Sequence, residues 1–387
     1  MKQIPRFLDF NLPPGQSAFL WGARKVGKTT FLKAQFPQSL RFDFLQTELH
    51  MEILARPHVL REQLIADRDE IGDRPVILDE VQKVPALLDE VHWLIENHKI
   101  GFVLCGSSAR KLKHGQANLL GGRAWSFEML PFVSAEVDDL DLLRALNHGL
   151  IPSHYLADDA RRFLRSYLND YLKQEILDEG LTRNVPAFSR FLEAVGYSHG
   201  ELINFANIAR DSGVDARTVR EYYQILVDTL FGRFVEPYSK RSNRQVITRA
   251  PKFYLFDVGV TGAILDRRIN EPRGEQFGRA FEHFILMELA AHAAYTELHY
   301  KIRFWRTKSG REVDFILGDG EVAIEVKGSN RVDRADLRGL EAFSEGHKPR
   351  RQLLVCTEKR ERLTENGIRI KPWRRFLEEL WSGEIIE

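Results

Sequence analysis

The chain has 387 residues, 43% of them apolar and 29% charged. Such a composition excludes a disordered chain, and the length leaves room for two to three domains with sizeable cores. Lys and Arg number 56 against 55 Asp and Glu, a net charge of +1, which excludes a uniformly basic nucleic-acid coat but permits a local basic patch.

The opening stretch, MKQIPRFLDFNLPPGQ, lacks the apolar core of a signal peptide. No apolar run approaches the ~18 residues of a membrane span, so the expected setting is the reducing cytoplasm, away from membranes. From about 15 to 135, short apolar runs alternate with helical stretches: QSAFLW, LRFDFL, PVILDE, GFVLCG and AWSFEML. That alternation predicts a parallel sheet with crossover helices. A helical region follows from about 155 to 238. From about 275 onward come a helix and the strands RFWRT, EVDFIL, VAIEVK and QLLVCTE. The two cysteines, Cys105 and Cys356, each sit in an apolar strand-like run and are expected as buried thiols.

The first chemical signal is Gly22-Ala-Arg-Lys-Val-Gly27-Lys28-Thr29, which fits GxxxxGK[ST] between a strand and a helix. Glycines let backbone N–H groups approach phosphate oxygens at the helix amino end. The expected nucleotide contacts are Gly22, Lys25, Val26, Gly27, Lys28, Thr29 and Thr30, for ATP with Mg²⁺. Lys28 reaches the β- and γ-phosphates, and Thr29 ligates the metal. Strand PVILDE ends in Asp79, which can hold the magnesium shell, and Glu80, which can polarise the attacking water. Ser107 or Ser108, after GFVLCG, is placed to sense the γ-phosphate. Arg123 in LLGGRAW is a candidate arginine finger for a neighbouring subunit.

Residues 203–230 carry a helix-turn-helix pattern. Ile208 and Ala209 lie on one helix, Ser212-Gly213 makes the turn, and Asp215 caps the next helix. Val219, Tyr223 and Leu226 form its buried stripe, leaving Arg217, Arg220 and Gln224 outward. The acid-free stretch 239–252 holds Lys240, Arg241, Arg244, Arg249 and Lys252 and reads as a linker or β-wing over DNA phosphates. Farther on, Asp314 in EVDFIL and Glu325 with Lys327 in EVAIEVK can meet across a GDG hairpin. Glu282 shares a helix face with Ile285, Leu286 and Leu289. Two or three carboxylates with a lysine suit Mg²⁺ or Mn²⁺; here Asp314 and Glu325 are the expected ligands, and Lys327 orients a nucleophile.

GARKVGKTT, ILDEVQKVP, LCGSSARKL and LLGGRAWSFEMLPF resemble a large prokaryotic family of AAA+ ATPases, whose members carry a winged-helix segment and a C-terminal domain formerly of unknown function. The resemblance covers almost the whole chain. It implies an AAA+ P-loop ATPase domain (1–150) in which the Walker B strand lies between the strands of the phosphate loop and sensor 1. A helical lid and winged-helix region (151–255) and an α/β restriction-endonuclease-like domain (256–387) follow. It also implies a ring, commonly a homo-hexamer, with ATP between subunits. The set Glu282, Asp314, Glu325 and Lys327 resembles the PD-(D/E)xK nucleases, although Val313 rather than proline precedes Asp314. The expectation is an ATP-driven DNA-processing motor with a nuclease-like domain. The alternatives are a translocase on forked or junction DNA that does not cleave, and a regulatory ATPase acting on a protein partner.

Overall fold

The computed structural model describes residues 4–108, 120–171, 182, 184–239 and 250–387. The chain divides into two compact units. One is Leu8–Leu130 with Asp228–Leu230; the other is Met1–Phe7, Pro131–Val227 and Phe231–Glu387.

In the first unit, the apolar runs form β1 (Ser17–Trp21), β2 (Arg41–Asp43), β3 (Val76–Asp79), β4 (Phe102–Gly106) and β5 (Ala124–Glu128). Among the described residues they make one parallel sheet in the order β2-β3-β4-β1-β5. Every residue of β1, β3 and β4 is buried, whereas β2 and β5 at the edges are partly exposed. That is the pattern of a parallel sheet covered on both faces. Helix α1 (Lys28–Gln35) follows β1 directly.

The order corrects one expectation. The strand ending at Ser107 lies between the phosphate-loop strand and the Asp79 strand, so β3 is not the one in the middle. Apolar composition could not decide this, because β3 and β4 are equally apolar and equally buried. The crossover after β1 skips two positions to reach β2, and β3 then β4 fill the gap on the way back. The result sets Ser107 between the phosphate loop and the acidic end of β3.

In the second unit, α2 (Val185–Tyr197), α3 (Phe205–Ser212) and α4 (Ala216–Asp228) pack around aromatic rings. Phe188 and Phe191 meet Tyr222, and Tyr223 lies 4.8 Å from Phe253. The caps are local. Asn204 accepts from the Asn207 amide at 3.1 Å, and Gly213 closes α3 at φ 71, a value few other residues adopt easily. Asp215 Oδ1 accepts from the amides of Arg217 and Thr218, each at 2.8 Å. Val219, Tyr223 and Leu226 are buried, while Arg217, Arg220 and Gln224 are exposed.

Next come the antiparallel strands β6 (Gly232–Pro237) and β7 (Lys252–Leu255), and Leu202 bridges to Lys252. β6 also pairs in parallel with β8 (Ile302–Arg306), so this hairpin is continuous with the C-terminal sheet. That sheet adds β9 (Glu312–Leu317), β10 (Val322–Lys327), β11 (Arg351–Cys356), β12 (Arg362–Leu363) and β13 (Arg369–Pro372), in the order β12-β13-β11-β10-β9-β8-β6-β7. One face packs on α5 (Glu275–Tyr295), through Phe281, Phe284 and Ile285; Leu340 and Phe343 cover the other. Among the described residues no helix is long and apolar enough to cross a membrane. Lys240, Arg241, Arg244 and Arg249 lie outside the described residues.

Candidate functional site

The phosphate loop is shaped by sterics before it is shaped by charge. A Cβ on Gly22 would sit 2.5 Å from Met129 O and 3.0 Å from Val26 Cγ2, so only glycine fits. Lys25 (φ 63) and Gly27 (φ 98) turn the backbone through left-handed conformations into α1. The free amides of the first helical turn then face the loop. Lys28 is only 6% exposed, and its Nζ donates to Gly22 O at 2.7 Å and Ala23 O at 3.1 Å. Thr30 is exposed beside it.

Thr29 Oγ1 donates to Asp79 Oδ2 at 2.7 Å. Asp79 is buried, and its Oδ1 finds no hydrogen-bond partner among the described residues. A hydroxyl and a carboxylate with a spare buried oxygen form a hard-oxygen donor pair that fits Mg²⁺. Bound with ATP, such an ion would neutralise charge on the β- and γ-phosphates. Next to Asp79, the Cys105 thiol is fully buried, and burial, then the Asp79 charge, push its pKa well up, so it stays a neutral core group.

Glu80 stands in a left-handed backbone conformation, φ 59, which turns its side chain toward the end of β4. Its Oε2 accepts from Gln82 Nε2 at 2.5 Å and from Ser107 Oγ at 3.4 Å, and Gln82 Nε2 also reaches Ser107 Oγ at 3.1 Å. Gln82 is 1% exposed. A Cβ on Gly106 would come 2.6 Å from Gln82 Oε1, so the amide fills the space over β4. Sequence reasoning missed Gln82; its only signal is the position two residues after Glu80. A carboxylate tied in this way can orient and polarise water beside a γ-phosphate. Ser108 Oγ donates to Asp228 O at 3.3 Å within the same unit. Arg123 pairs with the Glu96 carboxylate of its own chain, and that hydrogen bond lowers the Glu96 pKa.

On α4, Arg217 pairs with Glu221 at 3.3 Å, and Arg220 stacks 4.6 Å over the Phe205 ring. Both guanidinium groups thus sit on the outer face of the helix.

The C-terminal acids do converge. The β9–β10 register pairs Ile324 with Phe315, which sets Glu325 and Asp314 as the next step. Asp314 Oδ2 accepts from the Val326 amide at 2.8 Å, and Glu325 Oε1 lies 2.7 Å from Lys327 Nζ. Glu282 accepts from Tyr254 Oη at 2.5 Å. The surprise is Lys252, grouped by sequence with the basic stretch. It is 4% exposed, with Nζ 2.6 Å from Glu312 and 3.7 Å from Glu282; Glu312 also pairs with Arg306 at 3.2 Å. Burial works against its ammonium, yet Glu282, Asp314 and Glu312 hold its pKa above the ordinary lysine value. Burial, then the Glu325 charge, raise Asp314 well above the carboxylate range; burial raises Glu325 to about 7 against the pull of Lys327.

Sequence reasoning missed Lys252 and Tyr254, which reach the cluster only through strand pairing, and Glu312, whose signal was its place two residues before Asp314 on β9. Among the described residues no group of three or more His, Cys, Asp or Glu is arranged to hold a metal. Asp314 and Glu325, the expected metal ligands, are engaged by a backbone amide and Lys327, and the buried cation among the acids is Lys252. As arranged, the acids do not fit a divalent ion.

The parallel sheet and the phosphate loop define a P-loop ATPase domain. Residues 15–137 match the family described as AAA domain, 139–271 a domain of unknown function (DUF8612), and 277–376 a second one (DUF4143). Uncharacterized proteins of Mycobacterium bovis and Mycobacterium tuberculosis are each 26% identical over 304 residues, 76% of this chain and 66% of theirs. The chain therefore spans just under two thirds of their length. An uncharacterized protein of Methanocaldococcus jannaschii is 21% identical over 355 residues, 84% of this chain and 77% of its own. Among solved structures, the Aeropyrum pernix Orc1 protein in complex with DNA aligns over 66% of this chain and 87% of its own, at 12% identity and a TM-score of 0.27.

Proposed function

We propose that this chain is an ATP-hydrolysing AAA+ motor that works on DNA as a homo-hexameric ring. The observation that carries the reading is the joined pair of networks at the ends of β3 and β4. Thr29 and Asp79 form a magnesium-type donor pair, and Glu80 is tied to Ser107 through Gln82. In the ring, Arg123 leaves Glu96 to reach a neighbour's nucleotide, where its fixed charge stabilises the transferring phosphoryl group.

Three helices followed by a hairpin support a winged-helix reading of the middle region. Arg217, Arg220 and Gln224 line its exposed helix face, and Lys240, Arg241, Arg244 and Arg249 fall between the two hairpin strands. Such contacts act on phosphates without regard to sequence. The meeting of Asp314, Glu325 and Lys327 supports a nuclease-like scaffold for the C-terminal domain. Its lysine-filled cluster favours strand handling without cleavage over a cutting role.

The test is ATP turnover with single-stranded, duplex, forked and four-way-junction DNA, with products checked for both strand movement and cleavage. Stimulation by DNA with strand movement supports the reading. Turnover indifferent to every DNA form would shift it to a regulatory ATPase acting on a protein partner. Cleavage products lost in Asp314→Ala would add a nuclease to the motor.

A further inference from the structure

Four carboxylates, Glu282 of α5, Glu312 and Asp314 of β9 and Glu325 of β10, gather near Lys252 of β7. Buried carboxylates need cations, protons or hydrogen-bond donors. Arg306 and Lys327 serve Glu312 and Glu325 from β8 and β10, the strands beside or carrying those acids. Lys252 differs, since it arrives from β7, 30 residues before Glu282 in the chain, and its charge feels Glu282, Asp314 and Glu312 together. One acceptor remains over: Glu325 is 7% exposed, and its Oε2 is buried with no partner among the described residues. The cluster therefore has the donor set and the negative charge of a hard-cation site, with an ammonium already among the acids.

We infer that Lys252 is the resident cation of this cluster and excludes divalent metal from it, so that a metal site exists only where the Lys252 charge is withdrawn. Removing the ammonium would take the ion-pair partner from Glu282, leave Glu312 with Arg306 alone, and leave Asp314 compensated only in part by Lys327. A divalent ion with oxygen ligands is the chemistry that would relieve them. Because Lys252 belongs to the return strand of the hairpin, the pairing of β7 and the metal occupancy of the acids are linked, each opposing the other.

The experiment titrates the nucleotide-free full chain with Mn²⁺ and follows loss of the free-ion signal by electron paramagnetic resonance. Wild type and Lys252→Arg are expected to show no Mn²⁺ site that Asp314→Asn removes. Lys252→Met should gain one site, at least tenfold tighter than any in wild type, and the added Asp314→Asn change should abolish it. A wild-type site that depends on Asp314 and keeps its affinity in Lys252→Met would overturn the inference. Should Lys252→Met fold poorly, its melting temperature carries the test. Mn²⁺ is expected to raise it while leaving Lys252→Arg unmoved, and a Lys252→Met melt indifferent to Mn²⁺ would overturn the inference equally.

Discussion

Two of the buried lysines, taken one from each unit, show how differently the same side chain is used. Lys28 is 6% exposed and Lys252 is 4% exposed. Among the described residues Lys28 donates to the carbonyls of Gly22 and Ala23, neutral acceptors that leave its charge for an incoming anion. Lys252 is ringed by carboxylates, and its charge is already spent on the fold. Burial of a cation therefore does not by itself mark a ligand site. What its partners leave uncompensated does.

The largest effect that would sharpen this contrast lies beside Lys28. Glu80→Gln is expected to lower kcat for ATP by about 10²–10⁴, the usual contribution of a positioned base, while ATP binding persists. Single-turnover kinetics with labelled ATP would separate the two, and wild-type turnover would remove Glu80 from the role.

Replacing the lysines then tests the comparison directly. Lys252→Ala should destabilise its unit by about 3–5 kcal/mol, because buried acids lose their cation. Lys28→Ala should weaken ATP by roughly 10- to 100-fold through loss of a charge-assisted contact, with little change in unfolding. Denaturant melts and calorimetric ATP titrations read both. Equal destabilisation by the two changes would mean that both lysines are held by the fold alike.

Gln82→Ala is a smaller change. Gln82 touches Glu80 and Ser107 rather than the phosphates, so kcat should fall about tenfold with KM nearly unchanged. Gln82→Asn, whose amide falls one methylene short, should fall between; a KM effect instead would place Gln82 in binding.

The smallest effect concerns a third way of holding a buried charge. Glu288 accepts from Trp381 Nε1 at 2.7 Å and from the Ser134 amide and hydroxyl at 2.8 and 2.7 Å, with no lysine among these partners. Burial raises its pKa from 4.5 to about 7. The folded state thus holds the proton more tightly than the unfolded one. Its stabilisation is fully present below about pH 4.5 and is lost as pH rises toward 7, at no more than about 1.4 kcal/mol per unit. Urea melts across this range should show that slope in wild type and a flatter one in Glu288→Gln. An unchanged slope in the variant would assign it to other groups.

The phosphate loop was readable because its chemistry is local. Eight consecutive residues and one helix start build it, and the glycine at Gly22 reports a steric need that no other residue meets. The strands were readable for a similar reason, as apolar runs between turn residues mark β1 to β5 without reference to their neighbours. The helix-turn-helix turn at Gly213 and the cap at Asp215 also act within a few residues of themselves.

Sheet order was not readable. β3 and β4 bury equally well, so only the crossover path decides that Ser107 stands between the phosphate loop and Glu80. The partner of Glu80 escaped as well, since Gln82 matters through a side-chain contact over β4 rather than through spacing. The stretch 239–252 reads in the sequence as a linker or β-wing, yet Lys252 at its end joins the acids, because β7 pairs with β6, which in turn pairs with β8.

The sequence by itself determined the phosphate-loop residues, the five strands of the first unit, and the presence of acids at Asp314 and Glu325. Tertiary structure alone decided that Glu282 and Glu312 hold Lys252. Carboxylates separated by tens of residues have no fixed partner until strand pairing brings one within a few ångströms. In a buried site the first cation to arrive sets the charge that any metal would have to displace.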